Sequence, residues 1–469
     1  TGIRVEAQAL GIEADLGIND QCSHSEALSR IDRFVCDIKE TQFGDGLHIF
    51  GRKCGQKLPF ETASSELAEQ RAIRNALSGK RIPAGPSGSP YRGRMDVLPS
   101  GRNLFATDPL SVPTRAAYAQ GIKLAEEFIR RHLQDKGDWP SGVIVDLWGS
   151  ATMRTAGEEF AMALHLLGIK PVWADGSERV SGFEILPLIT LDRPRIDVTL
   201  RVSGLFRDVF PTLSNLYQQA IDALSKREES SDWNPYTSGV ENARIYGPAP
   251  QSYGLGMGSA TEDFSDAGRR VAAEAWLEAS SYAIKGDRAY QDKKGLKDRI
   301  TKADSFVHLQ DMPETDLLLS ADYAAHEAGF AAAKKFIGGS VSLYHLDNTD
   351  PENPTSRTLA EEIARVVYAR ACNPNWLIGM KRHGFRGAAE ISATLFHMSA
   401  FANLADVVGP HLFDSYHDAT LGNDDIVKFM SKYNPEALAA MRDCFEKLYH
   451  SGLWKTRRNF ILGDLEVSA

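Results

Sequence analysis

Two groups of residues in this sequence have the types and spacing that chemistry needs. Arg154, Thr155, Glu158 and Glu159 follow the apolar run Val143-Ile144-Val145-Asp146-Leu147-Trp148 and the loop Gly149-Ser150-Ala151-Thr152. Ligands of open α/β sheets bind beyond the carboxyl ends of strands, beside helix N-termini. A carboxylate at such a pocket mouth can accept a proton or contact a metal. Thr155-Ala156-Gly157-Glu158 equally fits a capping box, which would employ Glu158 structurally. The second group is His383-Gly384-Phe385-Arg386-Gly387, ahead of a helix whose first turn carries Glu390. An imidazole at a helix start can bind a metal or take a proton. Its plainer role is to cap the loop while Glu390 complements the helix dipole. His411, Asp414, His417 and Asp418 form a further polar cluster, and His48 lies among apolar neighbours as a core histidine would.

Missing motifs and composition exclude several classes. No Gly-x-x-x-x-Gly-Lys-Ser/Thr run exists, so the chain carries no P-loop for ATP. His326-Glu327 lacks a second histidine four residues on and is no zinc-protease motif. No Gly-x-Ser-x-Gly elbow appears, and Gly254-Leu255-Gly256-Met257-Gly258 only loosely echoes a dinucleotide fingerprint. The five scattered cysteines include no Cys-x-x-Cys, which fits a reducing, cytoplasmic setting. With 469 residues, 43% hydrophobic and 25% charged, the composition is that of a soluble globular chain. A net charge of −9 without a Lys/Arg run argues against nucleic acid. No apolar run reaches the roughly 18 residues of a membrane-spanning helix. The start Thr1-Gly2-Ile3 has neither a signal-peptide pattern nor an initiator Met, suggesting a piece of something longer.

These groups need elements to position them. The strand run 143–148, the helix with Phe160, Leu164 and Leu167, Pro171-Val172-Trp173 and the strand candidate 195–200 predict a parallel α/β sheet. Thr358-Leu359-Ala360-Glu361 predicts a capping box, and the spacing of Ile391, Leu395 and Met398 a helix over about 387–403. The expected class is a multidomain α/β protein, its sheet region followed by a mainly helical C-terminal region. Residues 1–90 read as a helical segment with a Gly/Pro-rich linker and 91–228 as the α/β domain. Residues 229–345 read as mixed irregular and helical, and 346–469 as helical.

Several stretches together resemble one family, the large subunit of ATP-dependent cobaltochelatase, related to that of magnesium chelatase. They are Arg357-Thr358-Leu359, Glu361-Glu362-Ile363-Ala364-Arg365-Val366-Val367, Asn373-Pro374-Asn375-Trp376 and Arg382-His383-Gly384-Phe385-Arg386-Gly387-Ala388-Ala389-Glu390-Ile391. Support comes from Leu98-Pro99-Ser100-Gly101-Arg102-Asn103, Pro113-Thr114-Arg115, Leu147-Trp148-Gly149 through Gly157-Glu158, and Arg201 through Asp208. Cobalt rather than magnesium is favoured by the stretch 361–370 and the short tail after Trp454. Leu319, Ala321, Ala324 and Gly247-Pro248-Ala249-Pro250 depart from the family's pattern.

The resemblance implies a tetrapyrrole-binding subunit that inserts Co²⁺, as substrate metal, into a corrin precursor of the hydrogenobyrinic acid a,c-diamide type. Mg-ATP would be hydrolysed on AAA+ partner subunits, in keeping with the missing P-loop, and the remaining N-terminal part of the large subunit would be a further partner. Neither nucleic acid nor membrane is expected as a partner. For this chemistry His383 is the expected proton acceptor or metal-delivery ligand, with Glu158 and Glu390 as supporting carboxylates. Glu158 and Asp418 are the further metal contacts, and Arg102, Arg115, Arg154 and Arg207 would hold acidic substrate groups. The competing readings are a non-catalytic tetrapyrrole carrier or sensor, a magnesium chelatase-type subunit, and an unrelated periplasmic-type binding protein.

Overall fold

In the computed structural model, the described residues are 2–461 without 20–21, 42, 45–48, 53–62, 87, 105–106, 240–242, 287, 457 and 459–460. His48 and Cys54 therefore lie outside them. At the centre is an eight-stranded sheet. Its strands are β1 (Gly142–Leu147), β2 (Asp197–Val202), β3 (Ile245–Gly247), β4 (Tyr282–Lys285), β5 (Arg288–Gln291), β6 (Ser305–Gln310), β7 (Ser342–Asp347) and β8 (Thr355–Thr358). The spatial order is β8-β7-β6-β1-β2-β3-β4-β5. The five strands from β7 to β3 run parallel, and β8, β4 and β5 close the edges antiparallel.

Every residue of β1, β2 and β6 is buried because both sheet faces are covered. Val143, Val145, Val198, Leu200, Val307 and Leu309 face one core, with helices α1 (Arg115–Lys136) and α3 (Glu158–Leu167). Ile144 and Phe306 face the other, built with the C-terminal helices. The period-2 alternation of strands thus splits each one between two hydrophobic layers.

Local sequence accounts for the elements flanking the site. Thr114 caps α1 by accepting from Ala117 N–H, and Gly137 ends it in the left-handed region. Where α1 crosses α3, a Cβ on Gly121 would stand 2.6 Å from Met162 N. Gly121→Ala is therefore expected to destabilise the fold by about 1–3 kcal/mol through overpacking against backbone, read as a lower urea midpoint with unchanged slope. The predicted capping box forms at the start of α4 (Leu359–Val366), with Thr358 and Glu361 bonded reciprocally. Helix α5 (Gly384–Ala405) buries Ile391, Leu395 and Met398 on one face, as their spacing predicts.

Three sequence expectations change. Pro171-Val172-Trp173 is a strand, but it pairs antiparallel with Val180–Ile185 in a separate hairpin. The parallel neighbours of β1 are β2 and β6 instead. Residues 229–345, read as irregular and helical, also hold β3 to β6 and the start of β7. Consequently the boundaries drawn at 228/229 and 345/346 cut through one sheet. The pattern was masked because short strands buried on both faces show no alternation, and β6 and β7 interrupt their apolar runs with His308, Gln310 and His345.

Candidate active site at the carboxyl ends of the strands

Parallel pairing places four ionisable residues in one register row. Arg201 of β2 stands opposite Asp146 of β1, Asp146 opposite His308 of β6, and His308 opposite His345 of β7. Their side chains share the face that meets the C-terminal helices. From that layer His326 and Glu327 descend on a π-helical turn, Ala324–Ala328. Such turns insert an extra residue and redirect side chains.

Asp146 is the hub. Its carboxylate accepts from His326 Nδ1 at 2.8 Å, Trp148 Nε1 at 2.8 Å, His308 Nδ1 at 3.2 Å and Arg201 at 3.2 Å. Burial alone would raise its pKa, but the neighbouring charge of His326 and Arg201 and the imidazole hydrogen bonds hold it well below the usual carboxylate range. Burial pushes His326 the other way, below an ordinary imidazole, against the pull of Asp146. The hub is thus an ionised carboxylate beside a His326 ring whose charging burial disfavours. Beside it, His345 Nδ1 meets Glu327 at 3.1 Å and its Nε2 meets Gln310 at 3.1 Å. Burial works against charging His345, yet Glu327 lifts its pKa above the ordinary value.

A second cluster stands where the sequence pointed. Helix α2 (Gly149–Thr155) ends at Ala156 and Gly157, both left-handed, so α3 starts at a sharp angle. A Cβ at Gly157 would lie 2.5 Å from Val112 Cγ1. Thr155 Oγ1 accepts from Glu158 N at 3.2 Å, half of the predicted capping box. The other half is absent: the Glu158 side chain turns to Arg92 at 2.7 Å and to Asn348 Nδ2 at 2.5 Å. Burial raises the pKa of Glu158, with Arg92 opposing. Arg154 forks onto Asp311 at 2.7 and 2.8 Å.

Between these pairs Glu159 is buried, and burial together with Asp311 and Glu158 pushes its pKa up to about 8. The folded protein then keeps a proton that an unfolded carboxyl, at an ordinary 4.5, gives up. Stability from this group is complete below pH 4.5 and is lost as pH rises through about 8. Wild type is expected to lose about 2–4 kcal/mol between pH 5 and 9 from this group. Glu159→Gln should flatten that slope in denaturant titrations at the two pH values.

The remaining sequence candidates are dispersed. Arg207 follows β2 and donates to Pro248 O at 2.9 Å and Ala249 O at 2.5 Å while pairing with Asp208. Arg115 lies over the Trp173 ring at 4.8 Å, and Arg102 donates to Leu98 O at 2.7 Å. In the helical layer His383 occupies the N-cap position of α5, and Glu390 pairs with Arg386 at 2.5 Å. Asp418 is engaged by Arg458. Among the described residues no three His, Cys, Asp or Glu side chains converge to hold a metal ion. His383, Glu158 and Asp418 thus do not form one ligand set, because they sit on separate elements and their carboxylates are taken by arginines.

Cavities lie at both ends of the sheet. One of about 880 Å³ is at the amino ends, against Ser342, Lys334 and Arg131. Another, of about 630 Å³, is at the carboxyl ends among Gln310, Asp347, Arg365, Arg370 and Trp376. The chemistry assigns the site to the carboxyl end, despite the larger space opposite. Sequence reading missed Asp146, Arg201, His308, His326, Glu327 and His345. The available signal was a polar residue within each of three apolar strand runs, VIVDL, SFVHLQ and SLYHLD.

Ionisable groups in register at the ends of parallel strands define an open α/β protein with its site at the strand ends. The chain belongs to the CobN/magnesium chelatase family, whose model matches residues 56–461. It is 40% identical over 410 residues to the aerobic cobaltochelatase subunit CobN of Pseudomonas aeruginosa, covering 83% of this chain and 33% of that protein. A magnesium-chelatase subunit of Chlorobaculum parvum is 25% identical over 425 residues, covering 87% of this chain and 33% of that one. The catalytic subunit of cobaltochelatase from Mycobacterium tuberculosis superposes with a TM-score of 0.89 at 26% identity, covering 99% of this chain and 49% of that one. The chain spans about a third of the length of the curated relatives it matches.

Proposed function

We infer that this chain works as part of the tetrapyrrole-binding large subunit of an ATP-dependent chelatase that inserts Co²⁺ into a corrin precursor. The observation that carries this reading is the buried Arg201–Asp146–His308–His345 row at the strand ends, in a chain 40% identical to a cobaltochelatase subunit. Cobalt is preferred to magnesium because identity falls to 25% for the magnesium-chelatase relative. Imidazole-rich surroundings also suit Co²⁺, whereas Mg²⁺ prefers oxygen ligands.

A free-base tetrapyrrole must lose its inner N–H protons as a divalent metal enters, so the site needs proton acceptors beside the ring. Glu158 is one carboxylate for this role, with His383 and Glu390 as candidates on the helical layer. Arg154 and Arg207 stand nearest the strand ends for acidic ring substituents, with Arg102 and Arg115 farther out. ATP hydrolysis falls to AAA+ partner subunits. The scattered cysteines, with no Cys-x-x-Cys pair, support a cytoplasmic setting. Among the described residues no helix is long and apolar enough to cross a membrane.

The test is an absorbance titration with a coloured tetrapyrrole, then Co²⁺ insertion with the ATPase subunits and the remainder of the large subunit present. Wild type is expected to bind and insert. Glu158→Gln and His383→Ala are each expected to lose about 10²-fold in rate. Unchanged insertion in both variants overturns the residue assignment. Macrocycle binding without ATP-stimulated insertion overturns the chelatase reading in favour of a carrier.

A further inference from the structure

We propose that His326, oriented through Nδ1 by Asp146, uses its Nε2 to take a macrocycle N–H proton as the metal enters, with His308 as a second imidazole on the same carboxylate. This rests on the chelatase reading above and names residues that sequence reasoning did not assign.

Geometry carries the argument. Asp146 is completely enclosed, while His326 above it keeps 11% of its side chain exposed. Both imidazoles meet the Asp146 carboxylate with Nδ1, at 2.8 and 3.2 Å. An ionised carboxylate only accepts, and the two other donors that reach His326 Nδ1, Trp148 Nε1 at 3.1 Å and Arg201 at 3.0 Å, each also have an Asp146 oxygen as acceptor, so both rings are assigned the Nδ1–H form. That places the lone pair of the neutral ring on Nε2. Among the described residues neither Nε2 makes a hydrogen bond, nor is either a fully enclosed polar atom.

The surroundings suit a flat ring. Trp148, only partly buried at the end of β1, has its indole N–H tied to the same carboxylate. Its ring centre lies 4.9 Å from that of His326, 4.8 Å from His308 and 5.2 Å from Tyr323. The Trp148 indole offers a face on which a planar macrocycle can stack.

The other groups facing the imidazole set its charge. Arg201 stands 3.0 Å from His326 Nδ1, and the Trp276 indole donates to the His326 backbone oxygen at 3.1 Å. Arg201 and burial keep the resting ring neutral, and Asp146 stabilises the imidazolium once formed. In the step, the macrocycle N–H bond breaks and a bond to Nε2 forms. The electron pair stays on the pyrrole nitrogen and becomes a metal ligand, so nothing is oxidised or reduced.

The test uses His326→Ala and His326→Asn in the assembled chelatase with its ATPase subunits. Asn keeps a donor toward Asp146 but has nothing in place of Nε2, which guards against a merely structural loss. Both variants are expected to bind the tetrapyrrole within about 2-fold of wild type and to insert Co²⁺ at least 10²-fold more slowly. Added imidazole should restore part of the rate in the Ala variant. Nitrogen-15 NMR of the wild-type chain should show His326 as the Nδ1–H tautomer. Wild-type rates in both variants, an Nε2–H tautomer, or an Ala variant deaf to imidazole overturn the proposal while leaving the chelatase reading intact. Absence of insertion by the wild-type assembly overturns both.

Discussion

Asp146→Ala is expected to destabilise the fold by about 3–5 kcal/mol, because it leaves a buried cation with no counter-ion. Arg201 keeps only 3% of its side chain exposed, and among the described residues its ion pair is with Asp146 at 3.2 Å. The Trp148 indole and the Nδ1–H groups of His308 and His326 lose their common acceptor at the same time. Each donor left unpaired adds to the cost. Urea unfolding should show the loss in the midpoint. An Asp146→Ala/Arg201→Met double variant should regain most of it, since the uncompensated charge is gone. A single-variant loss below about 1 kcal/mol, within the range of an exposed pair, would show that the row is not a buried electrostatic unit.

Glu362→Ala should cost a comparable amount, about 3–4 kcal/mol, through a different network. Glu362 is 1% exposed. It takes Arg365 at 2.9 and 2.5 Å and Arg357 at 3.3 Å. Arg357 reaches on to Asp347 at 3.1 Å and to Asp37 at 2.7 Å. The network therefore ties β7, β8 and α4 to the helix His24–Glu40 of the N-terminal segment. Arg365 and Arg357 hold Glu362 below the ordinary carboxylate range despite its burial. Removing it leaves Arg365 with Asp347 at 3.9 Å, a carboxylate that Arg357 already shares while also pairing with Asp37. Because the pairs are enclosed, added salt should change the loss little. A salt-sensitive loss under about 1 kcal/mol would mean that solvent already screens the network. Glu362→Gln, which keeps the hydrogen-bonding shape, should cost less than the alanine change.

Both networks bear on how much of this protein is legible in its sequence. The Thr358–Glu361 capping box and the inward face of α5 are visible there because their partners lie three to seven residues apart. The same locality made the dual reading of Thr155–Glu158 possible, and the structure divides it. Thr155 does serve as a local acceptor, but the Glu158 side chain answers to Arg92 and Asn348, far away in sequence. No spacing rule could choose between those roles. Likewise His326-Glu327, which in sequence is only an incomplete zinc-protease motif, acquires a role through partners outside its own helix.

By itself the sequence determined what depends on near neighbours: helix starts and faces, the buried run of β1, the missing P-loop, and the ordered motifs that mark the family. Tertiary structure alone decided the site. Asp146 and His326 are 180 residues apart and Asp146 and His308 162 apart; His308 meets Asp146 because parallel pairing sets β1 and β6 in a particular register, and His326 reaches it from the helical layer packed on that face. That register also carried strands across the boundaries drawn at 228/229 and 345/346, and it gathered into one row polar residues that looked like isolated interruptions. Burial then completed the assignment. An aspartate, an arginine and two histidines enclosed together must satisfy one another, whereas the same residues scattered along a solvated chain need not meet at all.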